Sequence, residues 1–435
     1  MELDKKYINI AMPAAFEGVF MILLANVDII LVGKLGVDAV AAVSIFTQPR
    51  MMILTLARSL SAALTLIAAK HYGRGDKVAA CAMLQNSIVV WGFLLLIVHI
   101  LFFQYMENLL LWMGAEFSYL NAALSYANIA IIAVFFTSLV AILQAVMLGF
   151  GETAAVMRIN VIGNIVNIVF SIPLIFGFWI IPALGVVGAA IGTVIGSLYS
   201  FVDTCFYLYR HNMFYAARIK LRRYFREFLP VFGGVFAEQG SERVGMVLYT
   251  RMAAELGAIP YAAHAVCMNF CDFYYSFAGG LGKASMVLAG HAKGAGNNAL
   301  WKKYVNIGIK WSFIFSCIAC VFTFVFREEI FGLYLKDPET LSLGAVIMII
   351  VALVSYPEAH AMVCAGVLRG SGQTSQVAVY SFISITIMRP IITAFFLYYL
   401  NMGLVGAWLA LAIDQSIRAI CSHILLCRYK NFLNF

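Results

Sequence analysis

Charged residues are scarce in this sequence. Asp, Glu, Lys and Arg make up 11% of its 435 residues, whereas apolar residues make up 63% and the mean hydropathy is +0.92. An average soluble domain has about 25% charged residues, so this composition excludes a soluble protein and indicates an integral membrane protein. Apolar segments of about 20 residues, the length that crosses a bilayer, account for nearly the whole chain and leave almost nothing for a soluble domain.

Signatures of an enzyme or a cofactor site are also missing. The nine cysteines are an odd number and lie mostly within apolar runs, which predicts reduced thiols and no disulfide framework. The segment 279–284 resembles a phosphate loop, but Ala284 occupies the place of the Ser or Thr that holds magnesium. Cys317-x-x-Cys320 lacks a second pair of metal ligands. We therefore predict no enzyme activity, no ATP site and no cofactor.

The positive charges are spread over short loops between the apolar runs. They give a formal charge of +8, but they form no continuous basic stretch, so we predict no nucleic-acid partner. If the N-terminus is cytoplasmic, most Lys and Arg residues fall in inside loops, above all between Arg210 and Glu227, whereas acidic residues outnumber basic ones in the outside loops. This asymmetry predicts a protein of the plasma or inner membrane with both termini in the cytoplasm.

The apolar runs predict an all-α integral membrane protein with twelve transmembrane helices. The predicted spans are 8–32, 45–69, 80–104, 118–148, 157–178, 185–209, 229–250, 262–290, 304–326, 341–368, 376–400 and 403–427.

The chain contains an internal repeat. Leu35-Gly36 recurs as Leu256-Gly257 and Gly151 recurs as Gly372, in both cases 221 residues later. Each half holds six spans, an even number, so both halves start on the same side of the membrane and form a parallel repeat. We predict an N-terminal six-helix lobe at 1–209, a basic cytoplasmic linker at 210–228 and a C-terminal six-helix lobe at 229–435. Two pseudo-symmetric bundles of this kind suit alternating access around a central cavity.

A few carboxylates lie within the apolar runs. Asp28 is the most prominent, because an acidic side chain in a spanning helix costs about 2.5–3.5 kcal/mol on insertion scales and is usually turned toward a partner or a wet cavity. Glu17 and Glu238 are related by the 221-residue shift. Glu238 and Glu242 share one helix face. They form either a carboxylate pair that takes up a proton or groups that Arg243 or a neighbouring helix neutralises in a structural pair.

Other polar and aromatic residues complete the set of candidates. Glu358 follows Pro357, which frees a backbone carbonyl and bends a spanning helix, and Asp272 lies in an aromatic run. Asp414 and Arg418, four residues apart, are predicted to form an internal ion pair. The candidates for the substrate cavity are Glu17, Glu242, Asp272, Tyr274, Tyr275 and Phe136.

Several motifs together resemble the multidrug and toxic compound extrusion (MATE) family, in its NorM-like or DinF-like bacterial branch. They are Asp28-x4-Gly33-x-Leu35-Gly36, Gln144-x4-Gly149-Phe-Gly151-x-Thr153, Asn164-x-x-Asn167, Gly188-Ala189-Ala190 and Leu368-Arg369-Gly370-x-Gly372-x-Thr374. The resemblance covers essentially the whole chain. It implies a secondary antiporter with two six-helix lobes that exports organic, often cationic compounds in exchange for H+ or Na+.

The resemblance also implies roles for individual residues. Asp28 resembles the first-helix aspartate of the family's N-lobe ion site, and Asn167 resembles its polar neighbour, whereas Ser171 stands where the family often has an aspartate. Because a hard cation prefers several anionic oxygens, this substitution favours protons over sodium. Glu238 resembles the seventh-helix glutamate, and Glu358 falls where some members have an aspartate. The side chains that would hold sodium are those of Asp28, Asn167 and Thr193.

One alternative function stays open from the sequence. A flippase of the same broad superfamily would move a lipid-linked or other amphiphilic substrate and would need basic residues in its cavity for phosphates. Arg58, Lys283 and Arg389 are candidates for that role. In either case we expect a monomer in the lipid bilayer that acts on a small organic or amphiphilic substrate.

Overall fold

The structure, a computed structural model, describes residues 2–179, 182–214, 220–332 and 338–432, and it is helical apart from short connections in these ranges. The α-helices are α1 (Glu2–Gly33), α2 (Val37–Ile45), α3 (Thr47–Gly73), α4 (Lys77–Gln104), α5 (Met106–Trp112), α6 (Phe117–Phe150), α7 (Thr153–Phe176), α8 (Val186–Arg210), α9 (Leu221–Ala254), α10 (Ala258–Gly294), α11 (Asn298–Val325), α12 (Arg327–Gly332), α13 (Pro338–Gly370), α14 (Thr374–Ser381), α15 (Arg389–Ala394) and α16 (Gly403–Phe432). Two π-helical segments, Phe382–Met388 and Phe395–Tyr399, continue α14 and α15.

The predicted all-α membrane fold is confirmed. Ten helical segments among the described residues are long and apolar enough to cross a membrane, by length and composition. The two other predicted spans fall in α9 and α10, which have 34 and 37 residues. These two helices carry polar side chains, among them Glu238, Glu242 and Asp272, in place of a fully apolar stretch. These two helices hold four of the six residues predicted for the substrate cavity, namely Glu242, Asp272, Tyr274 and Tyr275.

The sequence repeat is visible in the backbone. Gly36 and Gly257 have φ values of 111° and 100°, and Gly151 and Gly372 have φ values of 89° and 88°. This left-handed region is open to glycine at no steric cost, so the glycines set the helix boundaries at equivalent places in both halves. The helix caps repeat as well, as Asp76 and Asn297 each accept a hydrogen bond from the backbone N–H three residues ahead.

The chain forms two compact units. The N-unit comprises Val19–Phe228, and the C-unit comprises the chain up to Gly18 together with the chain from Leu229 onward. The predicted lobes, 1–209 and 229–435, differ from these units because the first half of α1 packs within the C-unit. There the hydroxyl of Tyr7 donates to the carbonyl of Leu281 at 2.8 Å. The two halves of helix α1 thus belong to different units. The functional role of the predicted lobes stays a prediction.

The start of α9 packs within the N-unit, although its residues belong to the predicted linker 210–228. Tyr224 is fully buried, and its hydroxyl accepts a 2.7 Å hydrogen bond from Nε1 of Trp91 and lies 2.8 Å from Oγ of Ser87. One turn further on, Nε2 of His71 donates to Glu227 at 2.9 Å, which holds the pKa of the Glu227 carboxyl below its usual range. Residues 215–219 of the linker lie outside the described ranges.

Tyr224→Phe is expected to lower the free energy of unfolding by about 1–3 kcal/mol. The substitution removes only the hydroxyl, so the indole N–H of Trp91 and the hydroxyl of Ser87 lose their common partner in a buried place. Thermal unfolding of the purified protein in detergent measures the effect. The matched control is Tyr209→Phe, because the Tyr209 side chain is exposed. Equal melting temperatures for both variants would contradict this account of the α9 anchor.

Candidate ion and substrate sites

Helices α1 and α7 bring three predicted residues together in the N-unit. Nδ2 of Asn167 donates to Oδ2 of Asp28 at 3.0 Å, and Oγ of Ser171 donates to Oδ1 of Asn167 at 3.0 Å. Asn167 and Ser171 are buried, whereas Asp28 is half-buried. Asn167 and Ser171 lie one turn apart on α7. The hydrogen bonds therefore run from Ser171 through Asn167 to the carboxylate of Asp28.

Small residues of α8 allow this arrangement. A Cβ atom on Gly192 would lie 2.0 Å from Oγ of Ser171, and one on Gly196 would lie 2.7 Å from Cβ of Asn167. The stripe of glycines along α8 therefore lets α7 approach closely, as small residues do between membrane helices. Larger side chains at these positions would displace the polar chain that ends on Asp28.

Thr193 is the third residue of the predicted sodium set. Its hydroxyl donates to the carbonyl of Ala189 in its own helix at 2.9 Å. Asn167 in turn presents its amide N–H group, and not an oxygen, to the carboxylate of Asp28. The described residues thus supply one anionic group and a hydrogen-bond donor at this place, and the sodium set stays a prediction.

The N-unit also holds polar and aromatic contacts near these helices. Gln144 and Asn160 form a reciprocal pair, with N···O distances of 2.9 and 3.1 Å, and Nε2 of Gln144 also donates to Thr204 at 3.2 Å. Of these three residues, only Gln144 belongs to a sequence motif. No motif in the sequence indicates Asn160 or Thr204. The predicted cavity residue Phe136 packs against Phe201, with ring centroids 5.4 Å apart.

In the C-unit, Glu238 is held by an arginine. Nε and Nη2 of Arg369 donate to its two carboxylate oxygens at 3.0 and 2.6 Å, and the Glu238 side chain is 7% exposed. Glu242, one turn along α9, accepts a 3.2 Å hydrogen bond from the hydroxyl of Tyr275. Of the two predicted alternatives, the contact with Arg369 of the neighbouring helix α13 agrees with a structural pair for Glu238, because a fork of guanidinium donors compensates its charge. The role of Glu238 in ion coupling stays a prediction.

The predicted ion pair of Asp414 and Arg418 is wrong. Asp414 is fully buried, and both Nε and Nη2 of Arg389 donate to its Oδ2, the former at 3.0 Å. Ser384 donates to the other carboxylate oxygen. Ser384 lies within the first π-helical segment and Arg389 directly after it, and such segments change which side chains share a face. Nε of Arg418 has no hydrogen-bond partner in the described part of the chain.

Glu358 lies in α13 directly after Pro357, and it is 7% exposed. It makes no hydrogen bond or ion pair with another described residue, and the charges in its electrostatic neighbourhood are those of Arg418, Arg389, Asp272 and Glu242. Two of the three buried or half-buried arginines of this cluster are taken by Glu238 and Asp414. With the exposed Asp272 and Arg243 included, this charged cluster has one more carboxylate than guanidinium groups. Its five carboxylates are those of Glu238, Glu242, Asp272, Glu358 and Asp414, and its four guanidinium groups are those of Arg243, Arg369, Arg389 and Arg418.

The other predicted cavity residues have different surroundings. Tyr274 is 8% exposed and donates to the carbonyl of Ala319 at 3.2 Å, so it packs in the core of the C-unit. Tyr275 is 38% exposed, and Asp272 is exposed as well. Glu17 is half-buried and lies in the part of α1 that belongs to the C-unit. Tyr275, Asp272 and Glu242 thus offer an aromatic ring and two acids in one unit.

A protein-family model described as MatE matches residues 13–172 and 235–395. The two stretches together cover more than half of the sequence. The chain belongs to the MatE family. It is 23% identical to a probable multidrug resistance protein NorM of Thermotoga maritima, over 96% of this chain and 91% of that protein. It is 25% identical to the multidrug resistance protein NorM of Vibrio cholerae, over 95% and 93% respectively.

Solved structures show the same fold as this MatE chain. A crystal structure of a Vibrio cholerae MATE transporter matches with a TM-score of 0.92 at 17% sequence identity, over 98% of this chain and 97% of that one. The predicted family and its NorM-like character are confirmed. The chain is a multi-pass membrane protein and a secondary transporter for small substrates, and it is not an enzyme.

Proposed function

We propose that this MatE chain exports organic compounds, cationic or amphiphilic, in exchange for H+ or Na+, by alternating access across the plasma membrane with both termini in the cytoplasm. The observation that carries the proposal is Asp28. This carboxylate lies in a membrane-spanning helix, has an amide partner in Asn167 and has no salt bridge within the described ranges. An acid kept at membrane depth without a basic hydrogen-bonding partner is suited to bind and release a cation.

The hydrogen-bond pattern around Asp28 supports the proton as the coupling ion. Sodium needs several oxygen ligands, whereas a proton needs only a carboxylate oxygen. Asn167 offers its N–H group to Asp28, and its carbonyl oxygen accepts from Ser171. To bind sodium, Asn167 would have to turn its carbonyl toward the ion and give up the hydrogen bond to Ser171.

The C-unit supports an organic cation as the substrate. Its charged cluster has a surplus carboxylate, and Glu242 accepts a hydrogen bond from the hydroxyl of Tyr275, whose side chain is partly exposed. Aromatic faces beside acids attract flat organic cations. The alternative, a flippase for a lipid-linked substrate, needs free basic groups. Arg389, one of its three candidates, is compensated by Asp414. The surplus carboxylate of the C-unit favours a cation over a substrate that carries phosphate.

Transport in proteoliposomes tests the proposal. The purified chain is reconstituted and given ethidium, a fluorescent aromatic cation, with either a pH gradient or a sodium gradient as the sole driving force. We expect the pH gradient alone to move ethidium against its own gradient. If a sodium gradient alone moves ethidium, the protein is still an antiporter, but its coupling ion is sodium and not the proton. If neither gradient moves ethidium and the protein instead equilibrates a labelled lipid between leaflets, the proposal is wrong and the flippase alternative holds.

A further inference from the structure

Helices α13 and α16 each carry a histidine and a cysteine one turn apart. His360 and Cys364 lie on α13, and His423 and Cys427 lie on α16. Nε2 of His360 is 3.1 Å from Nδ1 of His423 and 3.5 Å from Sγ of Cys364. One ligand atom from each of His360, Cys364 and His423 lies within 4.8 Å of the other two. Three metal-ligating atoms from two helices therefore converge on one point.

The distances from Nε2 of His360 to Nδ1 of His423 and to Sγ of Cys364 are close to those between ligands of one zinc ion. Zn–N bonds of about 2.0–2.1 Å and a Zn–S bond of about 2.3 Å, at tetrahedral angles, place two nitrogens about 3.3 Å apart and a nitrogen and a sulfur about 3.6 Å apart. We propose that His360, Cys364 and His423 bind a zinc ion between α13 and α16. This inference goes beyond transport and does not depend on the coupling ion.

The surroundings of the three side chains support a ligand. His360 is 7% exposed, and its hydrogen-bonding contacts with His423 and Cys364 are both made through Nε2, the nitrogen that faces the cluster. When Nε2 binds zinc, the ring carries its proton on Nδ1, which has no acceptor among the described residues. Tyr356 stacks on this ring at 5.7 Å and fixes its plane. Cys364 is fully buried, whereas His423 is exposed and gives an ion a way in. Two imidazoles and a thiolate select zinc over calcium, magnesium or sodium, which prefer oxygen ligands.

Cys427 has a different part in the cluster. Its Sγ lies 3.5 Å from Nε2 of His423, the ring nitrogen opposite the one that faces His360. A hydrogen bond between Nε2–H and the sulfur leaves the lone pair of Nδ1 directed at the ion, as outer partners of zinc-binding histidines do. The protein thus supplies three ligands and leaves the fourth position for water. On binding, Cys364 releases its thiol proton to solvent and binds as the thiolate.

Metal titration of the purified full chain in detergent tests the site. After treatment with a chelator, the protein is titrated with Zn2+ against a competing indicator and, separately, with Co2+, whose thiolate complexes absorb in the near ultraviolet. We expect one ion per chain and a cobalt–thiolate band. Cys364→Ser should abolish the band, and His423→Gln should weaken zinc binding at least about tenfold. Cys421→Ser, which removes a thiol of α16 outside the cluster, should bind like the wild type.

The outcomes that overturn the proposal are distinct. Less than one tightly bound zinc per chain would refute the site, as would a cobalt–thiolate band that survives in Cys364→Ser. If Cys364→Ser does not fold, His423→Gln decides, because His423 is exposed and its replacement leaves the core intact. Undiminished zinc binding by that variant would show that the ion lies elsewhere. None of these results depends on whether the protein transports ethidium.

Discussion

Asp28→Asn is expected to reduce ethidium export by a factor of about 5–150 while leaving the amount of folded protein unchanged. Asparagine has the shape of aspartate, and its side-chain oxygen still accepts the hydrogen bond from Asn167. The substitution removes only the charge that binds the coupling cation. Coupling free energies between two sites are about 1–3 kcal/mol, which corresponds to a factor of about 5–150, and loss of the ion site forfeits this coupling. Export is measured in cells or proteoliposomes at equal protein levels.

Asp38→Asn is the matched control for Asp28→Asn. Asp38 is an exposed carboxylate in the first turn of α2, so the control makes the same chemical change outside the polar chain of Asn167 and Ser171. It should export ethidium at the wild-type rate. Wild-type export by Asp28→Asn would show that the carboxylate has no part in coupling, and the role proposed for the N-unit would have to be given up.

The fold was predictable because membrane spans and the repeat leave strong local signals. Ten of the twelve predicted spans are long apolar runs in the described part of the chain. The glycines that end helices recur at a fixed shift, with matching left-handed φ values such as those of Gly151 and Gly372. The division of α1 between two units was not predictable in this way. An apolar helix shows the same pattern whichever bundle it packs against, so the contact of Tyr7 with Leu281 has no sequence signature.

The candidate sites were predictable where a motif marked both partners. Asp28 and Asn167 were joined by their resemblance to a known ion site, and they do form a hydrogen bond. In the C-unit, sequence spacing alone gave a wrong partner for Asp414, because the i,i+4 rule identifies only partners on the same helix. The true partner of Asp414 is 25 residues away at the end of a π-helical segment.

The sequence does contain a pattern for the histidine and cysteine cluster, but a search for Cys-x-x-Cys pairs does not detect it. The pattern His-x3-Cys occurs at His360-Cys364 and again at His423-Cys427. A spacing of four residues places both side chains of each pair on one helix face. The sequence could not show that the two helices lie side by side, because the two histidines are 63 residues apart.

Arg389→Leu is expected to destabilise the protein by about 3–5 kcal/mol, the usual cost of removing one partner from a buried ion pair. Asp414 is fully buried, and after the substitution its carboxylate would keep the hydrogen bond from Ser384 and a longer-range attraction to Arg418, with no guanidinium hydrogen bond. Arg389 also lies over the ring of Tyr249 at 5.8 Å, so packing is lost as well. The expected result is little folded protein on size-exclusion chromatography and a lower melting temperature.

The double variant Arg389→Leu/Asp414→Leu separates the charge from the packing. Replacing both members of a buried pair with apolar residues is often neutral or stabilising, because neither charge then has to leave water. We expect the double variant to recover most of the melting temperature lost by Arg389→Leu. Arg251→Leu is the control, since its pair with Glu255 is exposed and such pairs contribute about 0–1 kcal/mol. If the double variant is no more stable than Arg389→Leu, the loss comes from side-chain packing, and the uncompensated charge of Asp414 is not its cause.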